Sequence, residues 1–127
     1  MQRLRSTPLA WLTTVRADGQ PQTSYVWFHH AGGDIVVLSQ PQAPKIRNIG
    51  ANPKVSFNLD GNPVTGDGVL TIEAGAEVIG ELPDDRWQAY LAKYESRIRK
   101  GPWGTPDAFI AMFSSAIRIV PGRVRAW

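Results

Sequence analysis

Cysteine is absent from the 127 residues, which excludes disulfides and thiolate metal sites. Histidine is nearly absent too. His29 and His30 are the only two, and they are adjacent. Neighbours on a strand point to opposite faces, so they are not expected to share a metal. A solvated turn is the plainer reading, and no metal site is expected. There is no G-x-S-x-G elbow, no P-loop, no H-E-x-x-H and no dinucleotide-binding glycine pattern. No apolar run approaches the roughly 18 residues of a membrane span. No apolar segment follows Met1-Gln2-Arg3-Leu4-Arg5, so no signal peptide is read. Lack of cysteine fits a reducing compartment, and the expected location is the cytoplasm.

What is present describes one ordinary domain, residues 1–127. The hydrophobic share is 43% and the charged share 20%, a normal globular balance. The formal charge of +3 favours an anionic ligand but is too small to imply nucleic acid. Residues 10–16 are β-branched and aromatic and read as a strand. Asp18-Gly19 signals a hairpin whose two central residues take positive φ. Residues 22–29 alternate, with Tyr25 and Trp27 on one face and Ser24, Val26 and Phe28 on the other. Gly32-Gly33 turns the chain into an apolar strand at 35–39. A short helix is expected from Pro44, with Ile46 and Ile49 inward. Val55, Phe57 and Leu59 alternate as a fourth strand, and 60–68 reads as a loop. Residues 69–80 form a long strand in which Gly75 suggests a bulge or a close backbone approach. Trp87, Tyr90, Leu91, Tyr94 and Ile98 have helical spacing over 84–99. Thr105-Pro106-Asp107 caps another short helix. Residues 115–120 form a strand, Pro121-Gly122 a turn, and 123–127 a last short strand. About six short strands with tight turns indicate a barrel or sandwich.

Two clusters can carry chemistry. The first runs from Ser39 and Gln40 through Pro44, Lys45, Arg47 and Asn48. A strand ends in a hydroxyl, and a helix starts with cations in its first turns. Helix N-terminal amides and nearby cations suit a phosphate. Asn48 either bonds the ligand or closes the loop. A surface helix with ordinary charges is the alternative. The second cluster is aromatic: Tyr25, Trp27, Phe28 and the terminal Trp127 are candidates to line a planar-ligand groove, or else belong to a core or dimer contact. Glu73, Glu77 and Glu81 recur every four residues and read as a solvated face.

These two clusters, in this order, resemble the pyridoxamine 5'-phosphate oxidase-like, FMN-binding split-barrel family. The likeness covers nearly the whole chain. It rests on Thr14-Val15-Arg16 with Asp18-Gly19 and Pro21, on Val26-Trp27-Phe28, and on Leu38-Ser39-Gln40-Pro41. It continues through Lys45-Ile46-Arg47-Asn48-Ile49 and Asn52-Pro53-Lys54-Val55, and closes with Arg118–Pro121 and Arg123-Val124-Arg125. The opening and the Val-Trp-Phe strand look most like the small actinobacterial branch that uses coenzyme F420, a deazaflavin. The resemblance implies a six-stranded antiparallel split β-barrel with Greek-key wiring, two or three short helices, and a homodimer. It implies cofactor sites at the subunit interface. Lys45 would hold the phosphate beside Ser39, Gln40 and Asn48. Gln22, Ser24, Val26 and Trp27 would run under the tricyclic ring. Trp127 would come from the partner chain. Many relatives carry arginine just before the motif lysine. Pro44 stands there in this chain, so Arg47 is the remaining candidate for that charge.

The activity so implied is hydride transfer from reduced F420 to an electron-poor conjugated small molecule. Tyr25 is a candidate proton donor, but no catalytic residue is assigned. An FMN-dependent oxidoreductase of the same fold, and a non-enzymatic cofactor or haem carrier, remain alternatives. An oligonucleotide-binding barrel is disfavoured, because the cations gather at one helix start and on the C-terminal strand.

Overall fold

The computed structural model describes residues 2–127. Its elements, in chain order, are α1 (Gln2–Ser6), β1 (Ala10–Val15), β2 (Pro21–Val26), β3 (His29–Ala31), β4 (Asp34–Ser39), α2 (Pro44–Ala51), β5 (Lys54–Leu59), β6 (Leu70–Gly80), α3 (Asp84–Lys100), α4 (Pro106–Met112) and β7 (Ser115–Ala126). The seven strands form one antiparallel sheet in the order β2-β1-β5-β6-β7-β4-β3. Its two edge strands, β2 and β3, are joined by Trp27 and Phe28 alone. A two-residue link spans at most about 10 Å, so the sheet must curl until its edges nearly meet. The hydrogen-bonded ladder itself does not close.

The expectation of six strands and two or three short helices is corrected to seven strands and four helices. Alternation runs unbroken through residues 22–29, so the sequence offers no sign of a break. The break comes from a change of partner. The β1–β2 ladder ends at Ala10↔Val26, and from His29 the chain pairs with β4. Phe28, left between ladders, bonds to a side chain instead: its N–H donates to Tyr94 Oη at 2.8 Å. The helix α1 is too short to show a period, yet Leu4 is buried in the core. Arg3 of α1 donates to the Asp60 and Gly68 carbonyls at 3.0 and 2.7 Å, which pins the 60–68 loop.

Three local expectations, two turns and a bulge, also change. Gly19 has φ 89°, but no non-glycine residue among those described has positive φ. Gly19 N–H donates to Arg16 O at 2.9 Å, and Arg16 N–H to Gln20 O at 2.9 Å, so the hairpin is a longer loop with one left-handed residue. Pro121-Gly122 does not turn the chain. β7 continues, with Gly122 and Arg123 together opposite Glu73. Glycine suits that bulge, because a Cβ at Gly122 would lie 3.0 Å from the Glu73 carbonyl oxygen, a tight contact. Gly75 pairs regularly and has open space around it, so it marks neither a bulge nor a close approach.

Two cores follow from the alternation. Leu12, Phe28, Ile35, Phe57, Ile72 and Ile119 fill the barrel. Val36 and Leu38, on the other face of β4, pack with Tyr90, Tyr94, Ile98 and Phe109 of α3 and α4. Covering both faces explains why β4 is apolar almost throughout. The long helix α3 carries Asp84 and Asp85 in its first turn and Arg97, Arg99 and Lys100 in its last, as its dipole favours. Thr105 caps α4 by accepting from Ala108 N–H at 3.2 Å. Asp34 ties the layers together. Its carboxylate takes Arg86 of α3 and Arg118 of β7, each at 2.8 Å.

Candidate cofactor site

β4 ends at Ser39, and α2 begins five residues later. Ala43 N–H donates to Gln40 O at 3.1 Å and closes the loop between them. Pro44 occupies the first helical turn, and no side chain caps the helix start. Lys45 therefore stands beside uncapped amides. Its Nζ donates to Ser24 Oγ at 3.4 Å, and no carboxylate pairs with it among the described residues. Burial pushes the Lys45 ammonium below its ordinary pKa. A half-buried cation without a counter-charge is a place for an anion.

Lys45 bounds two spaces. One is a cavity of about 370 Å³. Tyr25, Val26 and Trp27 form its strand side, Ser39 and Gln40 its loop side, and Tyr90, Trp103, Phe109 and Phe113 an aromatic wall from α3, α4 and the segment between them. The other is a cleft of about 170 Å³ between Thr14, Gln22, Thr23, Ser24, Pro44 and Lys45. The expected residues Gln22, Ser24, Val26, Trp27, Ser39, Gln40 and Lys45 are thus brought together around one cation. The aromatic wall and Thr14 were not anticipated. Helical spacing marks Tyr90 as apolar-facing, but nothing local says that it faces this cavity.

Other expected residues lie elsewhere. Asn48 is buried, and its Nδ2 donates to Thr14 Oγ1 at 3.0 Å and Gln22 Oε1 at 2.8 Å. These bonds tie α2 to β1 and β2 and do not close the loop, which Ala43 N–H and Gln40 O close instead. Arg47 is exposed in a separate cleft with Arg16 and Asp18. Trp127 is 73% exposed and bonds through its N–H to Val69 O at 2.9 Å, outside these cavities. Phe28 lines no groove, because it is fully buried in the barrel. Trp27 is only partly free for a ligand. Its ring stacks on Tyr94 at 4.8 Å and on Phe109 at 5.6 Å. Tyr25 stacks on Trp11 at 4.2 Å, and its hydroxyl donates to Asp60 Oδ2 at 3.3 Å. Desolvation and then the Asp60 charge raise its pKa. Glu73 and Glu77 do lie on a solvated face, ion-paired with Arg125 and Arg118, while Glu81 falls beyond the end of β6.

His29 and His30 are not in a solvated turn. Both lie half-buried on β3, and both Nδ1 atoms are buried without a partner. Burial lowers the pKa of each. The nearby Lys93 and Arg86 charges lower His29 further, and Arg5 lowers His30. The Lys93 ammonium donates to Phe28 O at 2.8 Å and is itself held down to about 8 by burial. A histidine whose folded pKa is depressed binds fewer protons than in the unfolded chain. Its contribution to stability is complete above the ordinary 6.5 and is lost as pH falls below it. The urea midpoint is therefore expected to drop between about pH 7.5 and 5.5, above the range where carboxylates titrate. A flat midpoint over that interval would refute the assignment of neutral imidazoles.

The whole chain, residues 1–127, matches the family model described as pyridoxamine 5'-phosphate oxidase. No curated protein matches. Among solved structures, one described as an F420 reductase is 25% identical, covers 98% of this chain and 94% of its own, and superposes with a TM-score of 0.73. HutZ, described as the heme storage protein from Vibrio cholerae, is 21% identical over 94% of this chain and 85% of its own, with a TM-score of 0.72. A putative pyridoxamine 5'-phosphate oxidase from Listeria innocua is 22% identical over 94% and 88%, with a TM-score of 0.65. The last two share the fold. No helix among the described residues is long and apolar enough to cross a membrane.

Proposed function

Because this chain belongs to the pyridoxamine 5'-phosphate oxidase family, we propose that it is an oxidoreductase that binds coenzyme F420 and reduces an electron-poor conjugated small molecule. The observation that carries the reading is Lys45. It is a half-buried cation with no carboxylate partner, at an uncapped helix start, on the rim of an aromatic-walled cavity. The likeness to a chain described as an F420 reductase supports the choice of deazaflavin over FMN.

The residues present fit such a cofactor. Lys45 holds its phosphate, with Gln40 and Ser39 on the loop side and Ser24 on the strand side. Val26 and Trp27 would line the ring's pocket, and the Trp103–Phe113 wall would exclude water from it. When bound and reduced, the deazaflavin supplies the hydride. The protein orients the acceptor and excludes solvent from the transfer. A 370 Å³ cavity is small for a three-ring cofactor plus an acceptor. The working unit is therefore a homodimer, in which Trp127 of the partner subunit closes the site.

The test is titration of the purified protein with F420 and with FMN, followed by Trp fluorescence, and then oxidation of the reduced cofactor by a quinone. Tighter binding of F420 with turnover is expected. A preference for FMN would reassign the cofactor. Tight haem binding without turnover would make the protein a carrier. Binding of neither cofactor would overturn the reading.

A further inference from the structure

Tyr90 and Tyr94 stand about one turn apart on α3, with ring centroids 4.9 Å apart. Both are buried, at 1% and 0% exposed. Their hydroxyls are used differently. The chain itself occupies that of Tyr94, which accepts from Phe28 N–H and reaches the Phe28 and Pro8 carbonyls at 2.8 and 2.7 Å. The Tyr90 hydroxyl has no hydrogen-bond partner among the described residues. Nor is it sealed in. The side-chain atoms that are buried without a partner among the described residues are His29 Nδ1, His30 Nδ1 and Arg86 Nε. The little surface that Tyr90 keeps therefore includes its hydroxyl, and Tyr90 lines the 370 Å³ cavity.

A buried phenol left unpaired carries a cost that phenylalanine would not. The ring alone accounts for the packing on Trp87, Tyr94 and Phe109. The hydroxyl needs another reason, and a ligand in the cavity supplies one. Burial, and then Tyr94, push the Tyr90 pKa well above its ordinary value, and no cation lowers it, so the phenol keeps its proton. An anion would find no counter-charge beside it, whereas an uncharged oxygen needs none. We propose that the Tyr90 hydroxyl donates a hydrogen bond to an uncharged carbonyl oxygen on a flat conjugated ring bound in this cavity, which makes Tyr90 a ligand-binding residue. Two rings carry such an oxygen: that of the cofactor and that of a quinone-type acceptor. The identity of the ring rests on the cofactor reading, but the unpaired hydroxyl does not.

Tyr90→Phe keeps the ring and removes only the hydroxyl. Its urea midpoint is expected to equal or exceed that of wild type, because no bond within the chain is lost. A lower midpoint would mean that the hydroxyl serves the fold, and would overturn the inference. Trp fluorescence then gives the affinity for F420 and FMN, and the affinity for menadione, a two-ring quinone, with oxidised F420 present. A loss of about 3–10-fold for the cofactors assigns the carbonyl to the cofactor ring. The same loss for menadione, with cofactor affinity unchanged, assigns it to the acceptor. No change in either overturns the inference and leaves the cofactor reading intact. Wild type that binds neither F420 nor FMN overturns that reading alone. Menadione by itself then decides on Tyr90, with the same loss expected in the variant. A second measurement needs no variant. The chain has three tyrosines. With all of them labelled at Cζ in wild type, the Tyr90 resonance should shift when ligand is added while that of Tyr94 stays. A Tyr90 resonance that stays fixed under bound ligand would overturn the inference.

Discussion

Lys45→Ala is expected to weaken binding of F420, or of FMN if that is the cofactor, by about 10–100-fold without weakening the fold. The magnitude is that of a charge-assisted hydrogen bond in a partly buried site. The fold should tolerate the change for the reason that makes the site suitable for an anion. The Lys45 ammonium has one long hydrogen bond, to Ser24 at 3.4 Å, and burial disfavours its charge. Removing it breaks no ion pair. Arg47→Ala is the matched control, since Arg47 is exposed in another cleft and should change affinity far less. Fluorescence titration gives the affinities, and urea unfolding gives the stability. Equal losses for the two variants would place the anion between the clefts rather than at Lys45. A large loss of stability in Lys45→Ala would mean that the lysine serves the fold.

Tyr94→Ala is expected to cost about 3–5 kcal/mol of stability, and Tyr94→Phe about 1–3 kcal/mol. Tyr94 is fully buried. Its hydroxyl accepts from Phe28 N–H at 2.8 Å and lies 2.7 Å from Pro8 O and 2.8 Å from Phe28 O. It has one hydrogen, so it donates to one of those carbonyls at a time. At the point where the chain leaves β2 for β3, this hydroxyl replaces the missing strand neighbour. Phenylalanine keeps the ring and its stack on Trp27 but leaves the Phe28 N–H buried and unpaired. The predicted signature is a lower unfolding midpoint together with faster hydrogen exchange at Phe28. Cofactor affinity of Tyr94→Phe should stay within about threefold, because the ring wall survives. Unchanged stability in Tyr94→Phe would show that the seam is held by packing alone.

Much of the fold was legible along the chain. Strands 10–16, 35–39 and 69–80 and the helix at 84–99 were placed to within about two residues, whereas the strand expected at 115–120 runs on to Ala126. The break at Trp27–Phe28 was not legible, because Val26, Trp27 and Phe28 keep alternating across it. Gly75 looked like a bulge from composition, yet the bulges fall at Gly122–Arg123 and beside Ile79, where the β6–β7 register slips. Register belongs to the pair of strands, and one strand cannot reveal it.

The site divides in the same way. Residue types and spacing determined that a helix start carrying Lys45 follows a strand ending in Ser39. They determined the strand alternation that brings Gln22, Ser24 and Val26 to one face, and the absence of any thiol or metal chemistry of cysteine. Tertiary structure decided the rest. It set Lys45 free of any carboxylate and turned Asn48 inward. It put Arg47 in a separate cleft and Trp127 outside its own chain's cavities, and brought Thr14 and the Trp103–Phe113 wall in. The reason is distance along the chain. Local order follows from neighbours a few residues apart, but the charge and polarity of a cavity depend on which remote segments the curled sheet brings against it.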